Sequence, residues 1–133
     1  TTAQPFHYPL HRSNAGLVIL AAGPDSEARP LLEQSARADG LKPREIASRV
    51  RELLSKLQAI RKDGYAYRAD ETGWNVSFPL HAGKQIFGVS FHGGSRPPVK
   101  PESIVLECLL LVRRIEQAIQ GTPGLLAPRP ANG

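Results

Sequence analysis

The chain has 133 residues, a formal net charge of +5, 41% apolar residues and a single cysteine, Cys108. This length supports one folded domain with one core rather than two. A single cysteine excludes an intrachain disulfide and a multi-cysteine metal site, and no apolar run reaches the ~20 residues that a membrane-spanning helix needs. We therefore expect a cytoplasmic protein without a metal or cofactor, whose basic residues alternate with acidic ones on a solvated helix face.

The first half of the chain is predicted to be helical. Ser13 precedes the apolar run from Ala15 to Ala22 and suits the cap of a short helix, although the β-branched pair in this run also fits a strand. Gly23 to Asp25 predicts a turn and a new helix start. Pro30 is expected to interrupt that segment or to begin a second helical turn.

The most strongly patterned helix begins at Pro43. Its apolar residues recur with a 3.6-residue period and are expected to face the core: Ile46, Val50, Leu53, Leu54, Leu57 and Ile60. Arg61 and Lys62 in the last turn and Gly64 just beyond it are typical of a helix C-terminus.

Strands are predicted next, from Tyr65 to Arg68, from Trp74 to Leu80 and from Gln85 to Gly93. Asp70 to Gly73 and Ala82 to Lys84 read as the turns between them. A last helix opens at Pro101. Its segment Ile104 to Val112 is apolar almost all the way round, which predicts burial on more than one side, in the core or in a subunit interface.

The ends and one loop are expected to lack regular structure. Thr1 to Pro9 reads as irregular, Ser95 to Pro101 as a proline-rich loop, and the glycine- and proline-rich tail as poorly ordered. The predicted organisation is one domain over residues 1–121 and a flexible tail over 122–133.

Strand alternation gives the predicted hairpin two different faces. The apolar face belongs to the core and carries Trp74, Val76, Phe78, Phe87, Val89 and Phe91. The other face carries Asn75, Ser77, Ser90 and His92. Such a polar face either meets water, as in many antiparallel sheets, or forms a concave wall that binds a ligand.

A second segment favours the ligand interpretation. Ser13 to Gly16 would form the N-terminus of the first helix, where free backbone N–H groups suit an anion and a glycine allows close approach. Arg68 on the adjoining strand is able to bind a carboxylate in bidentate fashion, although a plain surface arginine is the simpler interpretation.

Four segments in order resemble the C-terminal effector-binding domain of IclR-type bacterial transcription regulators. Pro9 to Gly16 is similar to the family's PLH-x-(S/T)-A-x-GK entry, and Leu57 to Ala66 to its L-x-x-IR-x-x-GYA block. Val76 to Leu80 and Val89 to Gly93 resemble two strand motifs of the family. The chain departs from the pattern at Leu17, where the family usually has lysine.

The resemblance implies an α/β (α+β) fold, with a GAF-like curved antiparallel sheet flanked by helices. It implies an effector between the sheet and the first helix, so the candidate ligand-binding residues are Asn14, Ala15, Gly16, Arg68, Asn75, Ser77, Ser90 and His92. The expected ligand is a small organic acid, with an aromatic carboxylate as one candidate. The expected partner is a second copy, as homodimer or tetramer, with DNA bound only through a winged helix-turn-helix that precedes this domain in the family and is absent from residues 1–133.

Three alternatives stay open from the sequence. A stand-alone GAF-like sensor would share the fold and the pocket without a DNA-binding partner. A dimerisation domain with a vestigial pocket would tolerate alanine at Asn75, Ser90 and His92. An enzyme would need a nucleophile, but Cys108 lies in the most apolar helix, and Pro9 between His7 and His11 disfavours a helical metal pair.

Overall fold

A computed structural model describes residues 10–94 and 100–122 of the chain. Over these residues the chain forms a short 3-10 helix, four α-helices and one antiparallel sheet of three strands. The elements are the 3-10 helix Leu10–Arg12, α1 Asn14–Ala21, α2 Asp25–Ala38, α3 Pro43–Asp63, β1 Ala66–Asp70, β2 Gly73–Ala82, β3 Gln85–Gly93 and α4 Pro101–Gln120.

The first helix begins where the sequence predicts. The Oγ atom of Ser13 accepts a hydrogen bond from the backbone N–H of Gly16 at 3.1 Å, so Ser13 caps α1. The run that also fitted a strand is therefore a helix. Its side chains Leu17 and Val18 are buried against the neighbouring helices.

The expected interruption at Pro30 is wrong, because α2 continues through it from Asp25 to Ala38. Pro30 is exposed and lies early in the helix, and it removes only the hydrogen bond that would reach the carbonyl of Ser26. Burial of Ala28, Leu32 and Ala36 on the opposite side of α2 outweighs that loss.

The third helix confirms the periodic prediction residue by residue. Its buried side chains are those the pattern gave: Ile46, Val50, Leu53, Leu54, Leu57 and Ile60. Pro43 occupies the first turn, and Gly64 ends the helix with φ +85°, a left-handed conformation that glycine adopts at little cost.

The strands pair in the order β1-β2-β3. β1 begins at Ala66 and reaches Asp70, two residues further than predicted, while β3 has the predicted bounds. The register places Arg68 beside Asn75, Asn75 beside His92, and Ser77 beside Ser90. The polar side chains of three strands therefore form one continuous surface.

Helices cover both faces of the sheet. α4 packs on the apolar face, where Val76, Phe78 and Leu80 meet Val105 and Val112. α1 packs on the polar face, so the alternative in which that face simply meets water is wrong at its centre, where Ser77 is fully buried. The fold is thus α+β, with a flanked antiparallel sheet, and it is consistent with the GAF-like form.

Several expectations fall outside the described residues. These are the irregular start over 1–9, the greater part of the proline-rich loop over 95–99, and the tail over 123–133. The proposed domain boundary near residue 121 stays a prediction. Among the described helices, none combines the length and apolar character needed to cross a bilayer.

Candidate functional site

A cavity of about 220 Å³ lies between the N-terminus of α1 and the polar face of the sheet. Its lining residues are Arg12, Ser13, Asn14, Ala15, Arg68, Asn75, Ser90 and His92. Six of these eight were candidate ligand-binding residues in the sequence, and they converge on one space from one helix and three strands. A smaller cavity of about 140 Å³ shares Arg68, Asn75 and His92 and extends the site towards the β1–β2 turn.

Asn75 connects the elements around the cavity. Its Oδ1 accepts from Asn14 Nδ2 at 3.0 Å and from Ser77 Oγ at 3.3 Å, while its Nδ2 lies 3.1 Å from His92 Nδ1. The Asn75 amide therefore joins Asn14, Ser77 and His92 in one hydrogen-bonded group. Asn75 Nδ2 faces both ring nitrogens of His92, at 3.1 Å and 3.3 Å.

The two serines beneath the cavity form a short hydroxyl pair. Ser77 Oγ and Ser90 Oγ are 2.7 Å apart, and either one is able to donate. When Ser77 donates to Asn75, Ser90 donates to Ser77 and offers only lone pairs to the cavity. When Ser77 donates to Ser90 instead, its hydrogen bond to Asn75 is given up and the Ser90 proton is free to point into the cavity.

Gly16 and Ser77 do not line the cavity. Ser77 lies below it and contacts Asn75 and Ser90. Gly16 faces away, since a Cβ added there would lie 2.6 Å from Leu10 Cδ1, and its N–H is bound by Ser13. Gly16 therefore allows the 3-10 helix to pack on α1, whereas the sequence analysis expected it to let a ligand approach closely.

The close approach that a glycine permits occurs instead at Gly88 on β3. A Cβ at this position would lie 2.8 Å from the carbonyl oxygen of Ala15. The absence of a side chain therefore lets α1 rest on the sheet and brings its N-terminus to the polar face. No pattern in the sequence singled out this residue.

The cavity is positively polarised. The backbone N–H groups of Asn14 and Ala15 donate to no described residue, and the N-terminal end of α1 carries partial positive charge. Arg68 is exposed and makes no hydrogen bond or ion pair with any described side chain. These groups together favour a bound anion.

Arg12 is a cavity residue that sequence reasoning missed. Its Nη2 binds Asp39 Oδ1 at 3.0 Å, and its side chain is still half exposed at the cavity edge. It occupies the variable position of the Pro-Leu-His-x segment, so the motif alone gave no signal for it. Its neighbour His11 is buried, with Nδ1 2.8 Å from Ser35 Oγ and Nε2 3.2 Å from Asp39 Oδ2, which fastens the 3-10 helix to α2.

A larger cavity of about 550 Å³ lies on the outer side of α3 and the 3-10 helix. Several of its charged side chains already form ion pairs with one another: Arg12 with Asp39 and Arg49 with Glu52, each at 3.0 Å. We therefore place the candidate site at the smaller cavity, where Arg68 and the helix N–H groups lack partners among the described residues.

Among the described residues, the groups considered for an enzyme do not assemble into a site. Cys108 is buried in α4, and desolvation, followed by the nearby charge of Glu107, raises the pKa of its thiol. A protonated buried thiol is a poor nucleophile. His81 is exposed and lies within β2, opposite Ile86 of β3, rather than in the turn. No three described His, Cys, Asp or Glu side chains are placed to hold a metal ion. His7 lies outside the described residues.

The architecture is that of an α+β domain with a small polar cavity beneath a helix N-terminus. A family model described as "Bacterial transcriptional regulator IclR C-terminal" matches residues 6–81, more than half of the chain. The chain therefore belongs to this family of regulatory domains, as its motifs predicted. No curated protein and no solved structure gives a significant match to the chain.

Proposed function

We propose that this chain is the effector-binding and self-associating domain of a cytoplasmic bacterial transcription regulator, and that it binds a small organic acid. The observation that carries the proposal is the convergence of Arg68 and the free N–H groups of Asn14 and Ala15 on one cavity. The role is binding rather than catalysis. Ligand binding would alter DNA contacts made by a winged helix-turn-helix in another domain of the regulator.

The proposed ligand follows from the charge and size of the site. A carboxylate placed at the N-terminus of α1 would receive helix N–H groups and the guanidinium of Arg68, with Ser90 or His92 as further partners. The volume of about 220 Å³ is below the ~300–1,000 Å³ of pockets for drug-sized ligands. This favours a compact acid, aliphatic or with a single aromatic ring.

A thermal-shift screen against small aliphatic and aromatic acids tests the proposal. A ligand at one hundred times its dissociation constant stabilises the folded state by ~2.7 kcal/mol, which is an easily measured upward shift. Arg68→Ala removes a charged hydrogen-bond donor and should weaken binding by at least about tenfold. Ser90→Ala should also weaken it.

The matched control is Lys62→Ala, which removes one positive charge from an exposed position on α3. This variant should keep the ligand-induced shift of the wild-type protein. If Arg68→Ala and Lys62→Ala bind a hit equally well, the ligand does not occupy the proposed site.

Two alternatives have their own outcomes. A domain with a vestigial pocket would show no shift across the panel, and alanine at Asn75, Ser90 and His92 would change nothing. A sensor without a DNA-binding partner would respond to the ligand, but the full open reading frame would encode no winged helix-turn-helix.

A further inference from the structure

The last helix carries an apolar face that no described residue covers. Val105, Cys108 and Val112 of α4 are buried against the sheet. On the outer side, the exposed fractions are 57% for Leu106, 54% for Leu110, 46% for Leu111 and 41% for Ile115. Four large apolar side chains exposed on one helix form a patch typical of an interaction site.

On the outer side of α4, the first half of the helix carries negative charges and the second half carries positive charges. Glu102 and Glu107 lie in the first half of α4, and Arg113 and Arg114 in the second. Arg113 is held by Glu116 on its own helix at 3.2 Å, whereas Glu107 and Arg114 form no ion pair with the described residues. An antiparallel copy of α4 would align opposite charges, and a parallel copy would align like charges.

We propose that a second copy of this chain binds here, with the two α4 helices antiparallel about a two-fold axis between positions 110 and 111. Leu110 then faces the partner's Leu110, and Leu111 faces the partner's Leu111, on the two sides of the axis. Glu107 and Arg114 lie at equal distances, ~5 Å, on either side of it, so each Glu107 faces the partner's Arg114.

The helical period supports this register. Seven residues at 100° each bring Glu107 and Arg114 to within ~20° of the same direction on the helix, between the flanking leucines. One patch thus contains both halves of a complementary surface, as an isologous two-fold interface requires. This self-complementarity favours a second copy over an unrelated partner.

The inference rests on the self-association in the proposed function, and it assigns that self-association to one surface. The candidate ligand site is on the other face of the sheet, beneath α1. Substitutions on the outer side of α4 should therefore change the oligomeric state and leave ligand binding to the domain intact.

Sedimentation velocity over a concentration series tests the interface. We expect the wild-type chain to form a reversible dimer, and Leu110→Glu to raise its dissociation constant by at least about tenfold, since a buried charge enters the interface twice. Leu110 is exposed in the single chain, so circular dichroism should show the variant folded. Ser55→Glu, at an exposed position on α3, is the matched control and should dimerise normally.

A charge exchange tests the antiparallel register directly. Glu107→Arg places two arginines opposite each other and Arg114→Glu two carboxylates, so each single change should weaken the dimer. The double variant restores opposite charges across the axis and should recover most of the lost association.

Each outcome has a distinct meaning. A monomeric wild-type chain overturns the self-association and this surface together, while the ligand screen still decides the binding role. A dimer unaffected by Leu110→Glu overturns this surface alone. A dimer weakened by Leu110→Glu, but not recovered by the double variant, overturns the antiparallel register.

Discussion

Asn75 is the residue on which the geometry of the candidate site depends. Its side chain joins α1 through Asn14, the sheet floor through Ser77 and the edge strand through His92. Strand alternation predicted that Asn75 and His92 share a face. It did not predict that Asn14 would reach Asn75 across 61 positions of sequence, because that contact depends on how α1 settles on the sheet.

Asp70, at the end of β1 beside the site, should titrate below its ordinary range. The Thr72 hydroxyl is the main cause of the lowered pKa, the Thr72 N–H the next, and Arg68 contributes further. A lowered folded-state pKa stabilises the fold fully above the unfolded value near 3.8, and this stabilisation is lost as pH falls through the folded value. NMR titration of the Asp70 carboxyl should give a midpoint below 3.8.

Thr72→Val is the control for that titration. It removes the hydroxyl donor and keeps the side-chain volume, so the midpoint should rise towards the ordinary value. A wild-type midpoint at or above 3.8 would contradict the hydrogen-bonded turn.

At the scale of elements, the sequence predicted α3 and the bounds of β3 well because their patterns are local. The expectation that Phe87 of β3 belongs to the core is wrong, since its side chain is 41% exposed. A 3.6-residue period and a glycine cap determine α3 without reference to the rest of the chain. The covering of the polar face by α1 was not predictable in this way. Alternation shows that a face is polar, whereas its burial depends on Gly88 allowing α1 to approach.

Arg61 likewise makes contacts between elements that the sequence did not predict, and their contribution to stability is open to a test. The sequence placed it as a favourable cation at the end of α3, but its guanidinium also binds the carbonyls of Ala21 at 2.8 Å and Gly23 at 3.0 Å, and Asp25 Oδ1 at 2.8 Å. It therefore joins the end of α1 and the start of α2 to α3. Arg61→Ala should lower the free energy of unfolding by about 1.5–3 kcal/mol.

Urea denaturation compares Arg61→Ala with Lys62→Ala, whose exposed side chain should matter by less than about 0.5 kcal/mol. Arg61→Lys keeps the charge but loses the planar fork, so its stability should fall between wild type and Arg61→Ala. Equal stability of the two alanine variants would show that the three contacts of Arg61 do not contribute to the free energy of unfolding.

At the scale of the whole molecule, the sheet separates two hydrophobic clusters. One joins α1, α2 and α3 and includes Ala66 of β1, and the other joins the apolar face of the sheet to α4. α4 makes extensive contact only with the sheet among the described elements. The helix that carries the proposed interface is therefore the least supported within one chain.

Hydrogen exchange should reveal this asymmetry. In the Leu110→Glu variant, α4 amides should exchange at least about tenfold faster than the central amides of α3, because α4 is able to open without disturbing the three-helix cluster. When the wild-type protein is concentrated enough to form the dimer, the α4 amides should exchange more slowly than in the monomer. The exchange of the α3 amides should stay the same. A bound acid should instead protect the start of α1 and the middle of β2. If α3 exchanges as fast as α4 in the variant, the two clusters unfold together, and the fold responds to ligand and partner as a single cooperative unit.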